Sequence, residues 1–229
     1  MIKKTIIALM TTFFVAFSAL ADSTNVGFRV SAATLAASGS ETTDSGSIGS
    51  GGAAVTQSEK DGDFVLPSIF VEREIELGAF NVSLGLDYVP LTEEVATLGG
   101  GDGTDAKVSA GNLMTAYIQP SFAINDKVSI FGKVGYSQGD LEVTNISRQA
   151  STTTVNDAAS TDGNQDKDLK GAIYGVGVQI NNDLGILNFV RLEATRTDFD
   201  QISHTNSNGK ILKADAEMDL ITLTIGKSF

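Results

Sequence analysis

Few residues in this chain could do chemistry, and most of those are carboxylates. Its 229 residues include one His, no Cys and no Trp, with 28 acidic side chains against 16 basic ones and a formal net charge of −12. Without Cys there is no thiol nucleophile, thiolate metal site or disulfide framework. The lone His204 stands in Ser203-His204-Thr205-Asn206. A base that activates a hydroxyl nucleophile needs that nucleophile within hydrogen-bond reach. No motif around His204 supplies one, and the sequence predicts a solvated loop residue. Asp162-Gly163-Asn164-Gln165-Asp166-Lys167-Asp168 sets oxygen ligands at alternate positions, as calcium loops do. Lys167 occupies the place of the turn glycine, however, and Ile173 that of the closing carboxylate. No catalytic residue, metal site or cofactor is therefore expected. Phosphate binding needs clustered Lys and Arg, so the acidic balance also excludes nucleic acid as a partner.

What remains is a set of charges of both signs that recur on one parity of strand-like segments. Arg29, Lys133 and Arg191 stand against Glu72, Glu74, Asp87 and Glu193. Such a set can line an ion pathway, or it can fill an interior and neutralise itself. Buried charges are costly unless paired, which favours the second use. The choice rests on the elements that carry these residues.

Residues 1–21 read as a cleaved signal peptide. Lys3 and Lys4 precede an apolar run from Ile6 to Phe17, and Ala19-Leu20-Ala21 supplies a small-x-small cleavage pattern before Asp22. After it, no stretch approaches the length of an apolar transmembrane helix. Instead, segments of about ten residues alternate apolar with small or polar side chains, the pattern of strands with two unlike faces. Phe80, Val82, Leu84, Leu86 and Tyr88 oppose Asn81, Ser83, Gly85 and Asp87. Similar rows recur near residues 25–36, 65–76, 114–122, 128–137, 171–180, 190–195 and 221–229, which makes eight strands.

The connectors decide between a soluble sandwich and a membrane barrel. Short turns near Leu77-Gly78-Ala79, Asn125-Asp126-Lys127 and Asn181–Gly185 alternate with long stretches near 38–63, 90–110, 138–169 and 199–210. Short periplasmic turns alternating with long extracellular loops are the signature of a transmembrane barrel. The expected fold is therefore all-β, an eight-stranded antiparallel up-and-down transmembrane β-barrel over residues 22–229, apolar outside and polar within. Phe28, Phe80, Phe122 and Phe229 at one end and Tyr88, Tyr136 and Tyr174 at the other suggest two aromatic girdles. Arg73 shares the lipid-facing parity and is expected either to reach the nearer headgroups or to be turned by a bulge that shifts the register. Pro67 and Pro120 each remove a ladder donor, so bulges or strand ends are expected there. Asp215, Glu217 and Asp219 share the parity of Ile221, which puts the start of the embedded part of the last strand near Leu220.

These features together resemble the small outer-membrane β-barrel family of the OmpA/OmpX type, often described as porin-like. The terminal Ile221-Thr222-Leu223-Thr224-Ile225-Gly226-Lys227-Ser228-Phe229 is similar to the assembly signal of that family, with Ile221, Leu223, Ile225 and Phe229 on the lipid side. Lys227 departs from it, standing where an aromatic is common. The resemblance implies a bacterial outer-membrane protein with both termini periplasmic. Its partners would be membrane lipid, lipopolysaccharide and the insertion machinery. A non-catalytic structural or surface-interaction role through the long loops is expected, with a surface ligand that the residues do not identify. The competing expectation is a small-solute or ion channel. Divalent cations are expected to bridge the acidic loops to anionic lipopolysaccharide or to neighbouring carboxylates.

Overall fold

The computed structural model describes residues 23–43, 56–100, 104–147, 165–182, 185–205 and 210–229. The expected signal peptide lies outside them. Nine strands are described: β1 (Ser23–Thr43), β2 (Thr56–Leu77), β3 (Phe80–Gly100), β4 (Thr104–Ala123), β5 (Val128–Ser147), β6 (Gln165–Asn181), β7 (Phe189–Phe199), β8 (Ile202–Thr205) and β9 (Lys210–Ser228). From β1 to β7 neighbours pair antiparallel in chain order, β7 then pairs with β9, and β9 pairs back with β1, which closes the sheet on itself. Val30, for example, faces Pro67 on one side and Leu223 on the other. β8 runs beside β9 beyond the end of β7. The two share one position in the wall, so the cylinder is eight-stranded.

Turn chemistry explains the short ends. Gly78 and Gly185 both adopt φ +79°, where a side chain would be strained. Asn125 accepts hydrogen bonds through Oδ1 from the amides of Lys127 and Val128 at 2.9 and 3.0 Å, a side-chain-built turn between β4 and β5. The start of β1 and the residue after β9 join at the same rim, where Thr24 and Phe229 exchange both backbone hydrogen bonds at 2.9–3.0 Å.

The two faces separate as the alternation predicts. Phe28, Val30, Ile69, Ile118, Phe122, Val134, Val176, Leu192, Ile221 and Leu223 are exposed around the outside, several by more than half of their surface. Among the inward positions, Arg29, Glu72, Lys133, Arg191 and Glu193 are all 4% exposed or less. A continuous apolar exterior around a charged interior reverses the arrangement of a soluble sandwich.

The structure corrects four local expectations. Pairing continues well past the apolar belt, so much of 90–110 is an extended β3–β4 hairpin, because ladder hydrogen bonds persist where side-chain contrast fades. His204 lies in β8 opposite Leu212 rather than in a loop. Gln165–Asp168, at the end of the stretch expected as the long connector 138–169, extend along β5 in β6; residues 162–164 lie outside the described set. The ladder also passes Pro67 and Pro120 without a register shift. The β3–β4 and β4–β5 shifts fall instead around Pro90, between Val89 and Thr92, around Asn112 with its φ of 50°, and nearer the loop end at Glu94/Ala96 and Asp105/Lys107.

Candidate functional site: the charged interior

At the turn end, inward side chains build a compact ion cluster of two parts, one around Glu72 and one formed by Lys133 and Glu193. Glu72 lies at its centre and is fully buried. Arg191 donates to both of its oxygens, Nη1 to Oε1 at 2.6 Å and Nη2 to Oε2 at 2.8 Å. The planar fork of a guanidinium matches a carboxylate in this bidentate way. Arg29 Nη2 approaches the same Oε1 at 3.3 Å, and Tyr117 donates its hydroxyl to it at 2.6 Å. That hydroxyl in turn accepts from Arg29 at 2.7 Å, while the other Arg29 nitrogen binds Asp87. Lys133 donates to both oxygens of Glu193 at 2.7 and 2.6 Å. Gln179 holds Arg191 Nε.

Three cations, Arg29, Lys133 and Arg191, thus meet three carboxylates, Glu72, Asp87 and Glu193. The cluster is formally neutral, as a low-dielectric interior requires. Glu74, expected in the same set, stands apart near the rim. Its oxygens accept from the amides of Asn25 at 2.9 Å and Asn81 at 2.8 Å. Arg73 on the outer parity donates to Thr24 Oγ1 at 2.6 Å, so the hydroxyl of the neighbouring strand anchors it at that rim.

Aromatic rings pack between the charges. Arg29 lies 4.4 Å from the centroid of Phe70, Lys133 4.5 Å from Tyr117, and Arg191 4.5 Å from Phe189. These distances fit cation–π attraction, which strengthens where water is excluded. Each ring is seated over an interior glycine of the paired strand: Phe70 opposite Gly27, Tyr117 opposite Gly85, Phe131 opposite Gly177 and Phe189 opposite Gly226. A Cβ on any of these glycines would collide with the facing ring. Parity placed Phe70 and Tyr117 inside; the register that sets ring over glycine is invisible in one dimension.

Towards the loop end the interior turns apolar. Ala33, Leu35, Leu66, Val89, Leu169, Phe199 and Met218 form a buried cluster flanked by Phe64, Leu113 and Leu141. A lumen of small hydrophilic groups therefore describes only part of its height. Between the two layers lies a cavity of about 40 Å³, bordered by Arg29, Asp87, Lys133, Glu193 and Thr197. By the ~10–15 Å³ that one water needs, it has room for a few waters. On the opposite surface of the wall, Ile221, Leu223, Ile225 and Phe229 all point outward, and Lys227 lies 5.6 Å from the ring of Phe229.

Among the described residues, no group of three or more His, Cys, Asp or Glu has the geometry to hold a metal ion. No protein-family model and no curated protein matches the chain. Among solved structures, it is similar to Ail, the attachment invasion locus protein of Yersinia pestis, in complex with the heparin analogue sucrose octasulfate. That likeness has 14% identity over 88% of this chain and 99% of the other, with a TM-score of 0.35. The outer membrane protease OmpT from Escherichia coli aligns at 8% identity over 91% and 97% of the two chains, with a TM-score of 0.45. A Pseudomonas aeruginosa FadL homologue aligns at 9% identity over 90% of each, with a TM-score of 0.29. These scores are too low to carry over any property of those proteins.

Proposed function

We propose that this protein is an integral outer-membrane barrel with a closed interior, whose role is structural or lies in surface interaction rather than in transport or catalysis. The observation that carries this reading is a hydrogen-bonded cylinder wearing its large apolar side chains outside and a self-neutralised ion cluster within. Hydrocarbon is the solvent that such an exterior suits, since every backbone group of a closed barrel is paired internally. Residues 1–21 act as the signal that delivers the chain across the inner membrane, which leaves the turn end periplasmic and the loop end outside. The terminal Ile221, Leu223, Ile225 and Phe229 serve recognition by the insertion machinery.

Against a channel stands the filling of the interior. Eight strands leave just enough width for side chains, and here charges, rings and an apolar layer occupy it in succession. Reconstitution in planar bilayers tests the reading: no reproducible conductance steps are expected. Steady channels that scale with protein concentration would replace it with the channel alternative.

Lipopolysaccharide is the expected surface partner, bridged by divalent cations to the acidic outer residues. Chelation should change detergent extraction of the protein from native membranes, and identical extraction with and without EDTA would count against the bridge.

A further inference from the structure

Two cations interrupt the apolar exterior at the turn end of the seam where β9, β1 and β2 meet. Lys227 lies opposite Val26 on one flank of β1, and Arg73 opposite Thr24 on the other. Alternation turns both outward, beside the exposed Val26, Phe28, Ile69 and Ile225. Two strand spacings and a two-residue offset set their Cα atoms on the order of 12 Å apart. Two long side chains can close that gap on one small anion.

Neighbouring groups orient both side chains. Thr24 lies on the strand between them, and its Oγ1 accepts from Arg73 Nη1 at 2.6 Å. That bond draws the guanidinium over β1, toward Lys227, and uses one of the five donors it carries. Lys227 Nζ lies 5.6 Å from the centroid of the Phe229 ring, within cation–π range.

Charge is also sorted along the seam. Among the described residues, the outward positions of β9, β1 and β2 carry no carboxylate from the turn end up to Asp219 and Asp63, which both lie opposite Thr34. There Asp63 accepts from Thr34 at 2.7 Å, and Asp219 is held by Arg196 at 2.6 Å. The carboxylates thus stand at the loop-end border of the apolar belt and the two cations at its turn-end border. A charge at the edge of hydrocarbon is costly unless a counter-charge reaches it. The bilayer brings one to that height in its phosphate headgroups.

We infer that Arg73 and Lys227 together bind the phosphate of one anionic phospholipid, whose acyl chains lie along Val26, Phe28, Ile69 and Ile225. Charge-assisted hydrogen bonds from both cations hold the headgroup, and the apolar stripe holds the tails. A basic pair at a membrane border selects anionic over zwitterionic lipid, because only the former brings an uncompensated negative charge. The inference rests on the reading that hydrocarbon surrounds this exterior. Its test separates the two, because one readout reports contact with any lipid and the other reports the choice between lipids.

The chain has no Trp, so a single introduced one reports on the lipid beside it. Ile69→Trp places that reporter beneath the site, and Val134→Trp places it on β5 across the cylinder; both positions are exposed on the outside. The full barrel is folded into vesicles of phosphatidylcholine and phosphatidylglycerol, with EDTA present and brominated chains on one lipid or the other. At residue 69, quenching should show phosphatidylglycerol preferred by about fivefold, with no preference at residue 134. Arg73→Gln and Lys227→Gln should each reduce the preference, and the pair should abolish it, while Arg73→Lys retains most of it. Heat-dependent gel migration checks that each variant folds. Lys127→Gln, which removes a cation from the β4–β5 turn, should change nothing. A preference that survives the paired variant, or that appears equally at residue 134, would overturn the inference. Inorganic phosphate at matched ionic strength should not compete; loss of the preference in phosphate would assign the site to a free anion and overturn it too. Equal quenching by both lipids would overturn the inference and leave the membrane reading standing. No quenching by either would overturn both.

Discussion

Glu72 is the residue on which the interior depends most. It accepts from Arg191, Arg29 and Tyr117 at once, and no water reaches it. Removing one partner of a buried ion pair leaves an uncompensated charge, which costs about 3–5 kcal/mol. Glu72→Gln should therefore lower stability by that order, read as a shift of the urea midpoint in lipid vesicles. The separate Lys133–Glu193 pair permits a cleaner check. Lys133→Met and Glu193→Leu should each destabilise, and the double variant should cost less than their sum, because it removes both charges and the need to pair them. An additive double variant would mean that the pair is not coupled. These residues were legible in the sequence as charges on one parity of alternating segments. Their partners were not, since Glu72 and Arg191 are 119 residues apart and meet only when the sheet closes.

At the scale of elements, glycine and ring are the unit that packs this narrow interior. Phe189 lies over Gly226 and leaves no room for a Cβ there. Gly226→Val should cost about 1–3 kcal/mol through overpacking, and shortening the ring with Phe189→Leu in the same chain should recover part of the loss. Folded fraction on unheated gels measures both. The Asn125 turn is a gentler case: Asn125→Ala removes two hydrogen bonds at an exposed site. A loss of about 0.5–1.5 kcal/mol is expected, with the β4–β5 register unchanged. The short turns were readable because Gly and Asn leave a local signature. The height of the strands was not, because β3 and β4 keep pairing through Thr92–Gly100 without alternation to mark it.

For the whole molecule, closure is the property that matters. β1 meets β9 along its length, and the final Phe229 completes the seam with Thr24. Deleting Phe229 removes that last pair of hydrogen bonds together with an exposed apolar ring at the rim. Slower insertion into vesicles and a lower folded yield are expected, with little change in the thermal behaviour of molecules that do fold. The protein should also require detergent or lipid for solubility, since its belt of Phe28, Val30, Val176, Leu192 and Ile221 has no cover of its own.

The amino-acid order alone determined which way side chains face within the eight alternating segments and how many strands make the wall, because alternation has a period of two and is read within a few residues. It also determined which end carries tight turns, through glycine and asparagine. Tertiary structure decided the rest. Ring over glycine, the neutral matching of three cations with three carboxylates and the apolar upper layer all depend on register and closure. Those bring together residues that no local pattern relates.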